Sequence, residues 1–129
     1  MNSIALERDP ILRRAAELGA SDLILTAGHP VMVTIAGRLL PLEGTAVLTS
    51  SDSKRLIESF LTPTLLERFQ RDLELDTRFL LPGVAHFRVN LFIQRGHWGA
   101  ALRLVPLRIP LPDEIGLAPH QVQRLLGLT

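Results

Sequence analysis

The 129-residue sequence contains no cysteine. Disulfide bonds, zinc–thiolate sites and cysteine nucleophiles are therefore excluded. Tyrosine is absent as well, and Trp98 is the only tryptophan. Lysine is nearly absent, because Lys54 is the single lysine among the 14 basic residues and arginine supplies the rest. Arginine binds carboxylates and phosphates through two parallel hydrogen bonds, so the basic side chains of this chain are suited to anion contacts.

A strong net charge and a long apolar run are also missing. The formal net charge is +1, which gives no indication of binding to nucleic acid or to an anionic membrane. The longest uncharged run, residues 23–37, is interrupted by Pro30 and is too short to span a bilayer. The N-terminal residues lack the basic-then-apolar pattern of a signal peptide. These observations favour a cytoplasmic protein.

The chain length fits a single domain with its own core. Since 47% of the residues are hydrophobic, that core needs no disulfide to hold it. We expect a flexible N-terminus over residues 1–9, one α+β domain over residues 10–110, and a linker or short helix over residues 111–129.

Candidate N-caps mark three helices in this domain. Asp9 precedes a proline and a helical spacing of apolar residues, which predicts a first helix over residues 10–18. The Thr-Ser-Ser run that begins at Thr49 can cap a second helix. Thr62, with a proline directly after it, can cap a third.

Three short apolar stretches at 22–26, 31–35 and 38–41 are separated by glycine-containing turns. They predict a small antiparallel meander. A longer strand is predicted over residues 73–81, where apolar and charged residues alternate. The chain is therefore expected to fold as an antiparallel sheet flanked by helices.

The strongest strand signal lies in residues 83–106. Apolar and polar residues alternate over residues 85–94, with Phe92 as the one exception, which indicates a strand with one buried and one exposed face. A three-residue loop before this strand keeps its apolar residues on the same face as those of the preceding strand. That register pairs Phe79 with Phe87.

The second hairpin sets the relative position of two arginines. The loop must contain an even number of residues to keep the apolar residues of both strands on one face. A two-residue turn at Gly96–His97 meets this requirement. It would place Arg103 opposite Asn90 and diagonal to Arg88. Both guanidinium groups would then lie on the polar face of the sheet, with Arg95 at the adjoining turn.

Two roles are open for Arg88 and Arg103. One is to hold a phosphate or carboxylate ligand through bidentate guanidinium contacts. The other is to form cross-strand ion pairs with Glu74 and Asp76 on the neighbouring strand. The spacing in the sequence does not distinguish the two.

No catalytic or metal-binding pattern accompanies these arginines. The sequence contains neither the phosphate loop G-x-x-x-x-G-K-[ST] nor the dinucleotide motif G-x-G-x-x-G. The histidines are scattered, and none forms a helical pair beside a carboxylate, so we expect no metal site. They are His29, His86, His97 and His120. Trp98, beside His97 in a turn, is either a partly exposed packing group or part of an interface.

Several blocks of the sequence, taken in order, resemble a known family. The resemblance is to the N-terminal domain of the PilT family of type IV pilus retraction (twitching-motility) ATPases, within the wider GspE-like secretion ATPases, and it covers residues 10–126. The blocks are GASDL (19–23), TAGHP (26–30), GR (37–38), LELD (73–76), PGVAHFRVN (82–90), QRG (94–96) and ALR (101–103).

The resemblance implies a PAS-like domain that precedes a RecA-like motor domain with ATP and Mg²⁺. It also implies a cytoplasmic homo-hexamer that works with the pilus machinery at the inner membrane. In such a ring the N-terminal domain packs against the motor domains of its own and neighbouring subunits. Arg88 and Arg103, with Arg95 as a third candidate, match arginines that reach the nucleotide phosphates. We expect His97 and Trp98 to lie at an interface.

The sequence also departs from the family. Ile24 replaces a histidine that usually follows the first block, and His86 stands where arginine is frequent. The motor domain is missing from these 129 residues. We therefore interpret the chain as an excised N-terminal domain that neither hydrolyses ATP nor retains a cofactor by itself. The alternative is a stand-alone PAS-like module that binds a partner protein or a small ligand.

Overall fold

The computed structural model describes residues 3–107. The linker or short helix predicted at 111–129 lies outside the described residues. No helix within residues 3–107 is long and apolar enough to cross a membrane. In chain order the elements are α1 (Arg8–Glu17), β1 (Asp22–Leu25), β2 (Met32–Ile35), β3 (Arg38–Pro41), α2 (Ser50–Glu58), α3 (Pro63–Asp72), β4 (Glu74–Leu81), β5 (Ala85–Gln94) and β6 (His97–Pro106).

Side-chain caps start two of the helices where the sequence predicts them. The hydroxyl of Thr62 accepts a hydrogen bond from the backbone N–H of Leu65 at the start of α3. At the start of α2, Thr49 and Asp52 form a capping box, in which each side chain accepts a hydrogen bond from the backbone N–H of the other. Both devices satisfy N–H groups that have no partner within the helix.

The first helix begins two residues before the predicted position. Its N-cap is Glu7, whose side chain makes no capping hydrogen bond, so the predicted cap at Asp9 is wrong. The carboxylate of Asp9 instead accepts a hydrogen bond from Nε of Arg8 at 2.9 Å. Asp9 still favours the helix, because a negative charge in the first turn interacts well with the helix dipole.

The capping box makes the stability of α2 depend on pH. The backbone N–H of Thr49 lowers the pKa of Asp52, with smaller contributions from the Thr49 hydroxyl and from Arg55. A carboxyl group with a lowered pKa in the folded chain stabilises the fold above its unfolded pKa of ~3.9, and this contribution is lost as the pH falls through the folded value. We therefore expect Asp52→Asn to lower the melting temperature at neutral pH and to have a shrinking effect below about pH 4. Thermal unfolding of the parent and of Asp52→Asn over a pH series measures the difference between their melting temperatures. A difference that does not change with pH would contradict the prediction.

The six strands of residues 3–107 form one antiparallel sheet in the order β3-β2-β1-β6-β5-β4. The predicted meander of β1, β2 and β3 is confirmed, and so is the pairing of Phe79 with Phe87. The last strand, β6, lies between β1 and β5 and so joins the meander to the long hairpins. The α+β class is confirmed, and a specific likeness to PAS domains stays a prediction.

The turn predicted at Gly96–His97 is wrong by one residue. The two turn residues are Arg95 and Gly96, which have φ angles of 55° and 78°. A type I′ turn needs positive φ at both positions and prefers glycine at the second, because this geometry follows the twist of the strands. The shift changes the register by two residues, so Arg103 lies directly opposite Arg88.

The hydrophobic core lies on one face of the sheet. The odd-numbered residues from 85 to 91 in β5 are buried, and the helices contribute Ile11, Ile57 and Phe69, each at most 1% exposed. The even-numbered residues of β5 lie on the other side, which we call the open face. The central residues of the open face are exposed or half-buried, and they include Asp22, Arg78, Arg88, Asn90 and Arg103.

Candidate functional site

Three arginines form a row across the open face. The register places Arg78 of β4 opposite Arg88 of β5, and Arg88 opposite Arg103 of β6. Asp22 of β1 lies opposite Arg103 and ends the row. Directly opposed residues of antiparallel strands have Cα atoms about 4.5–5.5 Å apart, so the three side chains leave the sheet side by side. We call these three residues the arginine row.

Of the three arginines in the row, one forms an ion pair among the described residues. Nε of Arg103 donates a hydrogen bond to Oδ1 of Asp22 at 3.2 Å. Within residues 3–107, Arg78 and Arg88 take part in no ion pair. Like charges directly opposite each other destabilise a pair of strands, so the row favours the binding of an anion.

The carboxylates of the neighbouring strand contact an amide instead. Nδ2 of Asn90 donates to Oδ1 of Asp76 at 2.8 Å and to Oε1 of Glu74 at 3.3 Å. The ion pairs of Arg88 and Arg103 with these two carboxylates, one of the two predicted alternatives, are not found within the described residues. The amide of Asn90 therefore keeps both carboxylates engaged beside the row.

The arginine row lines a hollow on the open face. We call it the arginine hollow, and its volume is about 640 Å³, within the ~300–1,000 Å³ of typical small-molecule sites. The side chain of Arg103 is 69% exposed, which leaves its guanidinium free to turn from Asp22 towards a ligand. Within residues 3–107 no group of three or more His, Cys, Asp or Glu side chains is arranged to hold a metal ion. Asp22 and Asp76 also line the hollow, so the chemistry that it offers is anion binding by guanidinium groups beside two carboxylates.

A second hollow, of about 390 Å³, lies at the turn between β5 and β6. Arg95, His97 and Trp98 line it, and we call it the tip hollow. The structure thus brings together Arg88 and Arg103 and places Arg95 in a different hollow.

Trp98 and His97 both contact the helices. The ring of Trp98 meets that of Phe69 edge to face at a centroid distance of 5.1 Å, and Nζ of Lys54 lies 5.3 Å from the centroid of the Trp98 ring. Nδ1 of His97 lies 3.1 Å from Oγ of Ser50 at the start of α2. Both residues therefore have partners inside this chain, and their predicted part in an interface stays a prediction.

The sequence prediction missed two members of this site. Arg78 is implied by the predicted pairing of Phe79 with Phe87, because the adjacent pair in the same register is Arg78 with Arg88. Asp22 joins the site only because β1 pairs with β6. No local sequence pattern indicates that pairing.

The sequence is similar to the type IV pilus retraction ATPase PilT of Pseudomonas aeruginosa, with 37% identity over 112 residues, which are 83% of this chain and 31% of that protein. The chain is a PilT homologue of the secretion ATPase family. The type IV pilus ATPase PilU of the same organism is 29% identical to it over 124 residues, 96% of this chain and 32% of PilU. No family model matches this PilT homologue.

Solved structures of related ATPases have the same fold. A crystal structure of the pilus retraction motor PilT with bound ADP matches with a TM-score of 0.72 and 33% identity, over 95% of this chain and 35% of that one. The ATPase DotB of Legionella pneumophila matches with a TM-score of 0.63 and 26% identity, over 89% of this chain and 32% of that one. The PilT homologue therefore spans about a third of the length of these relatives, and its sheet and helices match the PilT N-terminal domain.

Proposed function

We propose that this PilT homologue is the N-terminal regulatory and interface domain of a type IV pilus retraction ATPase, and that its arginine row contacts the phosphates of the nucleotide. The homology to PilT supports the first part, and the ADP bound in the PilT structure supports the second. The observation that carries the proposal is the direct opposition of Arg88 and Arg103, of which Arg103 alone forms an ion pair among the described residues, with Asp22.

A phosphate group can displace Asp22 as the partner of Arg103. Their ion pair is exposed to solvent, and such pairs contribute only ~0–1 kcal/mol. A terminal phosphate group carries more negative charge than a carboxylate and has three acceptor oxygens, so it can accept hydrogen bonds from both guanidinium groups at once. An anion between Arg88 and Arg103 also removes the repulsion between them. Nucleotide phosphates are therefore well matched to this pair.

The contribution of the two arginines to the reaction is electrostatic. Guanidinium groups beside the phosphates stabilise the charge that develops on the transferring phosphoryl group. We assign tight binding of ATP and Mg²⁺ to a RecA-like motor domain, because these 129 residues contain no G-x-x-x-x-G-K-[ST] phosphate loop. The predicted contact of Arg95 with the same phosphates stays a prediction, since Arg95 lines the tip hollow.

In the proposed assembly, six subunits form a cytoplasmic ring that acts on the pilus machinery at the inner membrane. Each copy of this domain packs against the motor domains of its own and the neighbouring subunit. Closing of that contact delivers Arg88 and Arg103 to the nucleotide, so turnover depends on the position of this domain. The assembly binds no nucleic acid.

The 129-residue chain alone is expected to bind ATP more weakly than micromolar, because the arginine row supplies only part of the site. Isothermal titration calorimetry with MgATP measures the dissociation constant. Micromolar affinity would show that this domain holds a complete nucleotide site. It would contradict the proposal that the nucleotide site is divided between this domain and a motor domain.

The DNA that follows the codon for Thr129 gives an independent test. An in-frame phosphate-loop sequence within a few tens of codons supports the ATPase. A stop codon directly after Thr129 contradicts it and favours the stand-alone PAS-like module.

A further inference from the structure

The carboxylate of Asp22 has a hydrogen-bond donor at each of its two oxygens. Oδ1 accepts from Nε of Arg103, and Oδ2 accepts from the hydroxyl of Ser21 at 2.9 Å. The backbone of Ser21 is paired on both sides, because its N–H donates to the carbonyl oxygen of Thr34 and its carbonyl oxygen accepts from the N–H of Leu104. The hydroxyl donor is therefore held in place, and it fixes the orientation of the carboxylate.

Arg103 is held less firmly than Asp22. Its bond to the carboxylate uses Nε alone, and the length of 3.2 Å is at the upper end of the usual range for N–H···O bonds. Within residues 3–107, Nη1 and Nη2 of Arg103 donate no hydrogen bond. The side chain of Arg103 is 69% exposed, against 32% for that of Asp22. Arg103 is therefore the partner that can move, while the carboxylate stays in place.

Arg88 favours the same position of Arg103 as Asp22 does when no anion is bound. The two arginines lie directly opposite each other, and like charges in such a pair repel. Since β1 and β5 lie on opposite sides of β6, repulsion by Arg88 and attraction by Asp22 act on Arg103 in the same direction. An anion between Arg88 and Arg103 attracts both guanidinium groups and is repelled by the carboxylate. Arg103 therefore has two alternative partners on the open face.

We propose that Asp22 is a positioning residue that competes with the nucleotide phosphates for Arg103 and keeps its guanidinium turned away from Arg88 until a phosphate binds. This inference rests on the proposed contact between the arginine row and the nucleotide. Because Arg103 must leave Asp22 before it meets the phosphate, Asp22 lowers the affinity of the arginine row for anions. The domain then presents both arginines together only when a phosphate is there to hold them.

The test is a titration of the ¹⁵N-labelled 129-residue chain with inorganic pyrophosphate, followed by the amide shifts of Arg88 and Arg103 and by the Nε–H resonance of Arg103. In the parent, the Nε–H resonance should move as pyrophosphate binds, because the hydrogen bond to Asp22 is broken. Asp22→Asn keeps the shape of the side chain and removes its charge, so the affinity for pyrophosphate should rise about fivefold.

Two further variants separate competition for Arg103 from a general effect of charge. In a chain that also carries Arg103→Gln, Asp22→Asn should give no gain in affinity, because the two residues act as a pair. The matched control is Asp76→Asn, which removes the same charge from the same hollow but from a carboxylate that is bonded to Asn90. Its gain should be less than about twofold.

The outcomes distinguish this inference from the proposed function. If Asp22→Asn gives no gain, if Asp76→Asn gives an equal gain, or if the gain persists with Arg103→Gln, competition by Asp22 is overturned while the arginine contact stands. If Arg103→Gln alone leaves pyrophosphate binding unchanged, or if no chain shows a saturating shift at Arg88 and Arg103, the proposed contact with the nucleotide phosphates fails and this inference fails with it.

Discussion

Replacing Arg88 with alanine is expected to lower the ATP turnover of a full-length ATPase that carries this domain by about 100-fold or more. Arg88 is the middle member of the arginine row, with Arg78 on one side and Arg103 on the other. A positive charge in this place acts on the charge that forms during phosphoryl transfer, so kcat should fall more than KM changes. Steady-state kinetics with saturating MgATP measure both quantities.

The fold should tolerate Arg88→Ala. The side chain is exposed, and within residues 3–107 it has no ion-pair partner that the substitution would leave behind. Its removal also relieves the repulsion between opposed arginines. Arg88→Lys keeps the charge without the paired N–H groups. Its ATP turnover should lie between that of the parent and that of Arg88→Ala.

The matched control is Arg38→Ala on β3, the strand at the far edge of the sheet. It removes the same charge from an exposed position and should leave kcat unchanged. If the Arg88→Ala enzyme turns over as fast as the parent, Arg88 lies outside the nucleotide site and its proposed role in catalysis is wrong.

Elements set by neighbouring residues were predictable from the sequence. Thr49 and Thr62 begin their helices by bonding N–H groups three residues away, and the period of two in β5 reports which side of the sheet each residue faces. The register of the first hairpin follows from matching the apolar sets of two adjacent strands. In each case the residues that decide the structure are close in sequence.

The second hairpin shows where such reasoning stops. Turns at 95–96 and at 96–97 both contain two residues, and both keep the apolar residues on one face. The preference of glycine for the second turn position decides between them, and it moves Arg103 from diagonal to directly opposite Arg88. The partner of Arg103 was beyond local reasoning, because Asp22 is 81 residues away in the sequence.

Phe87→Ala is expected to cost ~3–5 kcal/mol of unfolding free energy, since it removes a core aromatic side chain and leaves a cavity. Phe87 is fully buried, between Phe79 on β4 and Leu104 on β6. A small domain has a total stability of about 5–15 kcal/mol, so the variant should unfold at a much lower urea concentration than the parent. Urea unfolding of the 129-residue chain, followed by circular dichroism, measures the change.

Phe87 and Arg88 are neighbours in the sequence, so their variants test the two faces of β5 against each other. Successive side chains of a strand point to opposite faces, and Phe87→Ala should therefore lower stability while Arg88→Ala leaves it unchanged. Phe87→Leu keeps most of the buried volume and should cost less than Phe87→Ala. An unchanged urea midpoint for Phe87→Ala would contradict its place in the core. An equal loss of unfolding free energy in Phe87→Ala and Arg88→Ala would mean that the open face also stabilises the fold. Arg88 would then be a structural residue.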